Sequence, residues 1–214
     1  YQGKAYPSLA VAALAVGTQS TLRLVEQKGF NQSGYLLEAG GVQIPLDAQG
    51  HVRVSYQMPR SGFVSISAVD VIQGKAPPEL LSGAWALIGS TAMGAGDSVP
   101  TPQASVAGGV EVHAQLLSAA LDNRTPFVPL WAPAWPWAAG GACMFLLLVA
   151  LRLGGQRAGI VLPLSVVALA GGLFVVHAVL LFGLHQWLPW GRPAVFAVLA
   201  GTLLTGAELL RLRF

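Results

Sequence analysis

Residues 159–184 form a run of 26 without one formal charge, broken only by Pro163 and the single titratable His177. At about 1.5 Å of rise per residue, such a run spans a hydrocarbon core of roughly 30 Å with length left for tilt. A water-soluble fold has little use for it. Similar runs flank it at 134–151 and 193–210, so residues 134–214 read as three membrane helices with short links. Residues 1–133 read as a separate polar domain, joined to the helices at 130–136. Composition supports that cut: residues 1–133 carry seven Lys/Arg and eight Asp/Glu, residues 134–214 five Arg and one Glu. The formal charge of +3 therefore belongs to the helical part, where it points to lipid headgroups. The polar half has no basic run or stripe with interleaved aromatics, which excludes nucleic acid as a partner.

Orientation follows from the arginines. Arg152 and Arg157 lie in the first link and Arg211 and Arg213 at the end of the chain, while the second link has only Arg192, beside Trp187 and Trp190. Lys and Arg next to spans stay on the cytoplasmic side, so the C-terminus is expected inside and residues 1–133 outside an inner (plasma) membrane. Trp131, Trp135 and Trp137 then serve as the outer aromatic anchor. Within the spans, Ala197, Gly201 and Thr205 recur four apart, as do Ala168 and Gly172, which predicts close helix packing at both places. His177 and Glu208 are the membrane signalling candidates, because an ionisable group in a span is functional by default. The plainer readings are a neutral His bonded to a neighbouring helix and an interfacial ion pair of Glu208 with Arg211. Cys143 is the only cysteine, so no disulfide within the chain holds the polar domain.

In the polar domain, the apolar run 7–16 reads as a short buried helix started by Pro7 and Ser8. Lys4 with Ala13 and Ala15 also permits a signal-peptide core. Residues 35–38 predict a weak strand. Val42, Ile44 and Leu46, the turn Asp47-Ala48-Gln49-Gly50, and the alternating Val52, Val54 and Tyr56 predict a hairpin, with Pro45 marking an edge strand. Residues 63–68 continue as an extended segment, Ser67 and Asp70 open a short helix ending at Gly74, and 79–82 make one helical turn. The uninterrupted apolar residues 84–88 predict a central strand covered on both faces. A small-residue loop leaves it at 89–97, residues 98–108 prolong that loop through two prolines, and 109–121 form a helix burying Val110, Ala114, Leu117 and Leu121. Strand, loop and helix in this order place a binding loop at the carboxyl end of a sheet strand.

Enzymatic readings of that loop fail one by one. A phosphate loop needs Lys after its last Gly, where Ala95 stands, and a dinucleotide fingerprint needs a third Gly and an immediate helix. Ser90 is outside any nucleophile elbow. Asp97, Glu111 and His113 are of metal-binding types but lack clustered ligand spacing. The plain readings are a helix His at the border of the core for His113 and a turn carboxylate for Asp97.

The succession Leu87-Ile88-Gly89-Ser90-Thr91-Ala92, Asp97, Thr101-Pro102 and Gly109-Val110-Glu111-Val112-His113-Ala114 resembles the CHASE sensory domain of the second type, a cyclase/histidine-kinase-associated sensory extracellular domain. Tyr6-Pro7-Ser8-Leu9-Ala10, Ile44-Pro45-Leu46-Asp47 with Gly50, and Ile66-Ser67-Ala68 before Val71 agree with it. The resemblance implies an α/β extracytoplasmic sensor, a mixed sheet with flanking helices, followed by a three-helix transmembrane module. It implies a homodimer, mostly bacterial, in front of an adenylate or guanylate cyclase or a histidine or serine/threonine kinase. Family members usually have a membrane helix before the domain and an output domain after the spans, and proline in place of Gly108. The chain is therefore expected to be a fragment with no catalytic activity of its own.

On this basis the ligand-pocket candidates are Gly89, Ser90, Thr91, Gly94, Asp97, Thr101, Glu111 and His113. No catalytic residue, metal or cofactor is expected. The partners are the lipid bilayer and an unidentified small molecule or other stimulus. The favoured function is the signal-input module of a membrane receptor, ahead of a membrane-anchored structural or assembly protein. A small transporter is disfavoured by the lack of charge in the spans.

Overall fold

The structure is a computed structural model, and it describes residues 6–90 and 98–211. The described chain falls into two compact units. One takes in the chain up to Glu26 together with Tyr35–Thr125, the other Gln27–Gly34 and the chain from Pro126 onward.

In the first unit, the helix after Pro7 and Ser8 is α1 (Leu9–Gly17), which buries Ala10, Val11 and Leu14. Three strands follow, β1 (Arg23–Glu26), β2 (Tyr35–Ala39) and β3 (Val42–Leu46), paired antiparallel in that order. Pro45 sits in β3, an edge strand, as its missing N–H requires. The β2–β3 turn is the pair Gly40 and Gly41, with Ala39 opposite Val42 and φ of 55° and 83°. Positive φ at both central residues matches the twist of a two-residue hairpin, and glycine adopts it without steric cost.

The hairpin thus closes one turn earlier than expected. The turn at Asp47 does form, with the Gly50 N–H donating to the Asp47 carbonyl at 3.0 Å, but residues 52–56 form no ladder. Val52 and Val54 pack sideways onto the core instead. Helix α2 (Ala68–Ile72) starts after Ser67 as expected, though Ser67 makes no side-chain cap bond, and α3 (Pro78–Leu81) begins one residue earlier than the expected turn, with Pro78 inside it.

The expected central strand at 84–88 is absent. That stretch has no strand pairing, Trp85 lies over Gly17, Leu87 reaches the core, and Ile88 is 89 % exposed. Residues 98–108 are more regular than expected, forming a hairpin of β4 (Ser98–Thr101) and β5 (Ala104–Gly108). The named strands in both sheets are antiparallel, so the mixed sheet is corrected to small antiparallel ones.

Helix α4 (Gly109–Leu121) closes the unit, and its Leu116, Leu117 and Ala120 join Leu14, Ala39 and Ile44 in one cluster. Its buried face also includes Gln115, whereas Val110, Ala114 and Leu121 are only half-buried.

The second unit contains α5 (Trp135–Gly154), α6 (Ala158–Leu184) and α7 (Gly191–Arg211). Gly155, at φ 48°, breaks the chain between α5 and α6. Two helical tracts, Trp135–Leu184 and Gly191–Arg211, are long and apolar enough to cross a bilayer. Leu147, Leu162, Val166 and Ala200 form the shared core. Ala197 and Gly201 are buried as expected, with Gly201 against Val166, and Thr205 is half-buried. Ala168 is exposed and Gly172 has open space beside it, so the packed face of α6 is the one bearing Leu162 and Val166.

Candidate functional site

The amino end of α4 gathers the polar chemistry of the first unit. Glu111 sits in the first turn, where a carboxylate complements the helix dipole. The Arg60 guanidinium grips it with both arms, Nε donating to Oε2 at 2.8 Å and Nη2 to Oε1 at 2.7 Å. Four residues on, Gln115 lies on the same face. Its Nε2 donates to the Met58 carbonyl at 2.7 Å and to Gln103 Oε1 at 3.3 Å. Gln103 Nε2 in turn donates to the carbonyls of Tyr56 and Met58, each at 2.9 Å. These bonds fasten the unladdered stretch 56–60 to α4 through the Gln115 amide nitrogen, while its Oε1 is buried without a hydrogen-bond partner among the described residues.

The residues singled out from sequence are distributed unevenly. A Cβ on Gly89 would come within 2.5 Å of the Val110 Cβ, and one on Gly108 would lie 3.6 Å from the Ser90 carbonyl oxygen. Gly89 and Ser90 are therefore brought against the first turn of α4, where a glycine is needed for close approach. Thr101 serves the β4–β5 turn, its hydroxyl accepting from the Ala104 N–H at 3.1 Å and donating to the Ala104 carbonyl at 3.3 Å. His113 is half-buried on α4, about 200° around the helix from Glu111, so the two do not converge. Thr91, Gly94 and Asp97 lie outside the described residues. Among the described residues, no group of three or more His, Cys, Asp or Glu is placed to hold a metal.

A second feature was not flagged by sequence. An open recess of about 310 Å³ borders the β-sheet, lined in part by Ser20, Thr21, Arg23, Glu38 and Gln43. Gln43 Nε2 donates to Glu38 Oε1 at 3.1 Å across its floor. Its volume is at the low end of small-molecule sites, about 300–1,000 Å³, and its lining mixes these polar side chains with the apolar Ala39 and Val42 and the glycine turn between them.

The sequence profile of the CHASE2 domain matches residues 1–152. The chain belongs to the CHASE2 family. No curated protein and no solved structure matches it at a significant level. CHASE2 is a family of sensory domains, so the resemblance carried by the Gly89 and Gly109 motifs is shown, and a sensing role for the matched residues agrees with it.

The CHASE2 match extends through most of α5, so the polar domain and its first apolar helix form one family unit. Farther along, His177 is buried near the end of α6, and its Nδ1 accepts from the Leu188 N–H at 3.4 Å. The rings of Trp187 and Trp190 lie 6.1 and 6.2 Å from the His177 ring. His177 thus braces the 185–190 link against α6. Glu208 and Arg211 approach to 3.8 Å, a loose pair on one helix face.

Sequence reasoning missed Arg60, Gln103 and Gln115. Periodicity does reveal that residues 111 and 115 share a face, but nothing local marks residue 60 as their partner.

Proposed function

We propose that this CHASE2 chain is the transmembrane signal-input module of a receptor, with residues 1–133 outside, three helices crossing the membrane, and a cytoplasmic cyclase or kinase receiving the signal as a homodimer. The observation that carries this is the span of the family match, which runs without interruption from the sensory unit into α5. A stimulus at the outer unit then has a covalent path to the bilayer through 126–134. A ligand can shift such a device only by its difference in affinity for two states. The ligand pocket we favour lies at the amino end of α4, around Gly89, Ser90, Thr101 and Glu111. Asp97, Thr91, Gly94 and His113 complete the candidate set, with His177 and Glu208 as signalling residues in the helices.

The topology supporting this reading rests on four arginines against one, and it is directly testable. In a Cys143→Ala background, a non-permeant thiol reagent applied to intact cells is expected to label Gln49→Cys, in the exposed turn after β3. Gln156→Cys, between α5 and α6, is expected to react only after lysis. The reverse pattern would refute the receptor orientation.

A further inference from the structure

The loop between β1 and β2, Gln27–Gly34, belongs to the helical unit, although it lies 100 residues before the first apolar helix. It is internally closed: the Gln27 N–H donates to the Gly34 carbonyl at 3.0 Å, and the Gly29 N–H to Gln32 Oε1 at 2.9 Å. It is also tied to both chain segments that enter and leave the helices at one end of the bundle. Asn31 Oδ1 accepts from Trp131 Nε1 at 3.2 Å, just before α5, and from Gln186 Nε2 at 2.9 Å, between α6 and α7. The Leu130 N–H donates to the Gln32 carbonyl at 2.9 Å. Residues 127 and 186 are themselves bridged, so the three segments form one fastening at the level where the helices end.

At this level the loop presents Phe30. The ring stacks on Trp131 at 6.1 Å with 17° between planes, yet Phe30 remains 77 % exposed. Trp131 packs edge-on against Trp135, and Trp137, in the first turn of α5, is 84 % exposed. Aromatic rings gathered at the end of apolar helices occupy the depth that such rings prefer at a bilayer surface. A large apolar ring held out from a rigid, hydrogen-bonded loop is costly in water and favourable at that depth.

We propose that Phe30 inserts into the interfacial layer of the bilayer, making the β1–β2 loop a membrane anchor of the sensory unit separate from the apolar helices. Its occupant is lipid, argued from continuity with Trp131, Trp135 and the apolar tract they begin. The inference rests on the membrane reading above and deepens it. Asn31 is the positioning residue, because one oxygen fixes the loop to both links.

The test uses the whole chain in Cys143→Ala form, reconstituted in phosphatidylcholine vesicles with phosphatidylglycerol, carrying one nitroxide at Phe30→Cys, Val167→Cys or Gln49→Cys. Collision rates with oxygen and with a water-soluble nickel chelate report depth. At residue 30 the oxygen-to-nickel ratio is expected to be several-fold above that at residue 49 and below that at residue 167 in mid-α6. Asn31→Ala is expected to lower the ratio at residue 30 and leave residue 167 unchanged. A water-like ratio at residue 30, with residue 167 deep in lipid, would overturn the anchor alone. Slow collision with both reagents would mean that protein covers the ring, and would also overturn it. A water-like ratio at residue 167 would overturn the membrane reading and the anchor together.

Discussion

In the sensory unit the largest buried side chains, Leu14 and Ile44, sit at the centre of a cluster of aliphatic residues drawn from α1, β3 and α4. In the helical unit Leu147 and Leu162 are buried too, but much of the interior is Ala139, Gly140, Ala197, Ala200 and Gly201. Its bulky residues, among them Phe145, Leu153, Val167, Phe182 and Leu203, are on the outside. Water drives large apolar groups inward, as it does Leu14 and Ile44 in the first unit, although Ile72 and Ile88 stay on its surface. Between apolar helices in lipid that drive is missing, so small residues that allow close approach gather at the contacts and large ones face outward. On the membrane placement proposed above, the difference between the units is a difference of solvent, written in side-chain size.

The strongest way to break that contrast is to charge an exposed apolar residue in each unit. Val167→Asp, at a position 70 % exposed in the middle of α6, is expected to disfavour membrane insertion by about 2.5–3.5 kcal/mol. Ile88→Asp, also exposed, is expected to change the stability of the sensory unit by no more than about 0.5 kcal/mol. An insertion assay for the first and a urea titration for the second provide the numbers. Similar small effects at both sites would mean that water surrounds both.

A smaller effect sharpens the claim about small residues. A Cβ on Gly201 meets the Val166 side chain on α6, and Val166 is β-branched with little freedom to turn away. Gly201→Ala is therefore expected to destabilise the α6–α7 contact by about 1–3 kcal/mol. Gly206, with open space beside it on the same helix, is the control. Gly206→Ala is expected to be neutral or to gain up to about 1 kcal/mol of helix propensity. Detergent-denaturant titration of helicity distinguishes them, and equal losses would remove the packing argument.

Legibility followed the same division. The starts of α2 and α4, after Ser67 and at Gly109, are legible because the change of residue type there is local, whereas Pro78 reads as a break and turns out to lie inside α3. The apolar helices were read from length alone. Residues 84–88 misled because an apolar run specifies what it avoids, not which strands stand beside it. The β4–β5 hairpin was overlooked because Pro100 and Pro102 read as loop. Pro100 falls at the register irregularity between Val99 and Thr101, and Pro102 in the turn, so neither breaks a ladder bond. The family motifs around Gly89 and Gly109 were legible as a pattern, and the structure places both at the start of α4. Arg60 with Glu111, and Asn31 with Gln186, were not, since each pair is joined only by tertiary folding.

The smallest expected effect tests whether the turn after β3 behaves as a water-exposed one. Asp47 Oδ1 accepts from the N–H groups of Gln49 at 2.9 Å and His51 at 2.8 Å, and Oδ2 faces His51 Nδ1 at 3.3 Å. Partial burial pushes the carboxyl upward, but the two backbone donors and the His51 ring outweigh it and hold Asp47 below its ordinary value. A carboxylate so depressed adds stability that is complete above the ordinary carboxylate pKa of about 3.9 and is lost as pH falls through the lower folded value. Asp47→Ala is expected to cost about 1 kcal/mol at neutral pH, visible as faster amide exchange at residues 49 and 51. Asp47→Asn retains an accepting oxygen without the charge, so its deficit against the native chain is expected to be smaller and to vanish on acidification. A deficit that instead grew below that pH would mean that the carboxyl is held as the acid, shielded from water, and that the contrast of solvents does not extend to this turn.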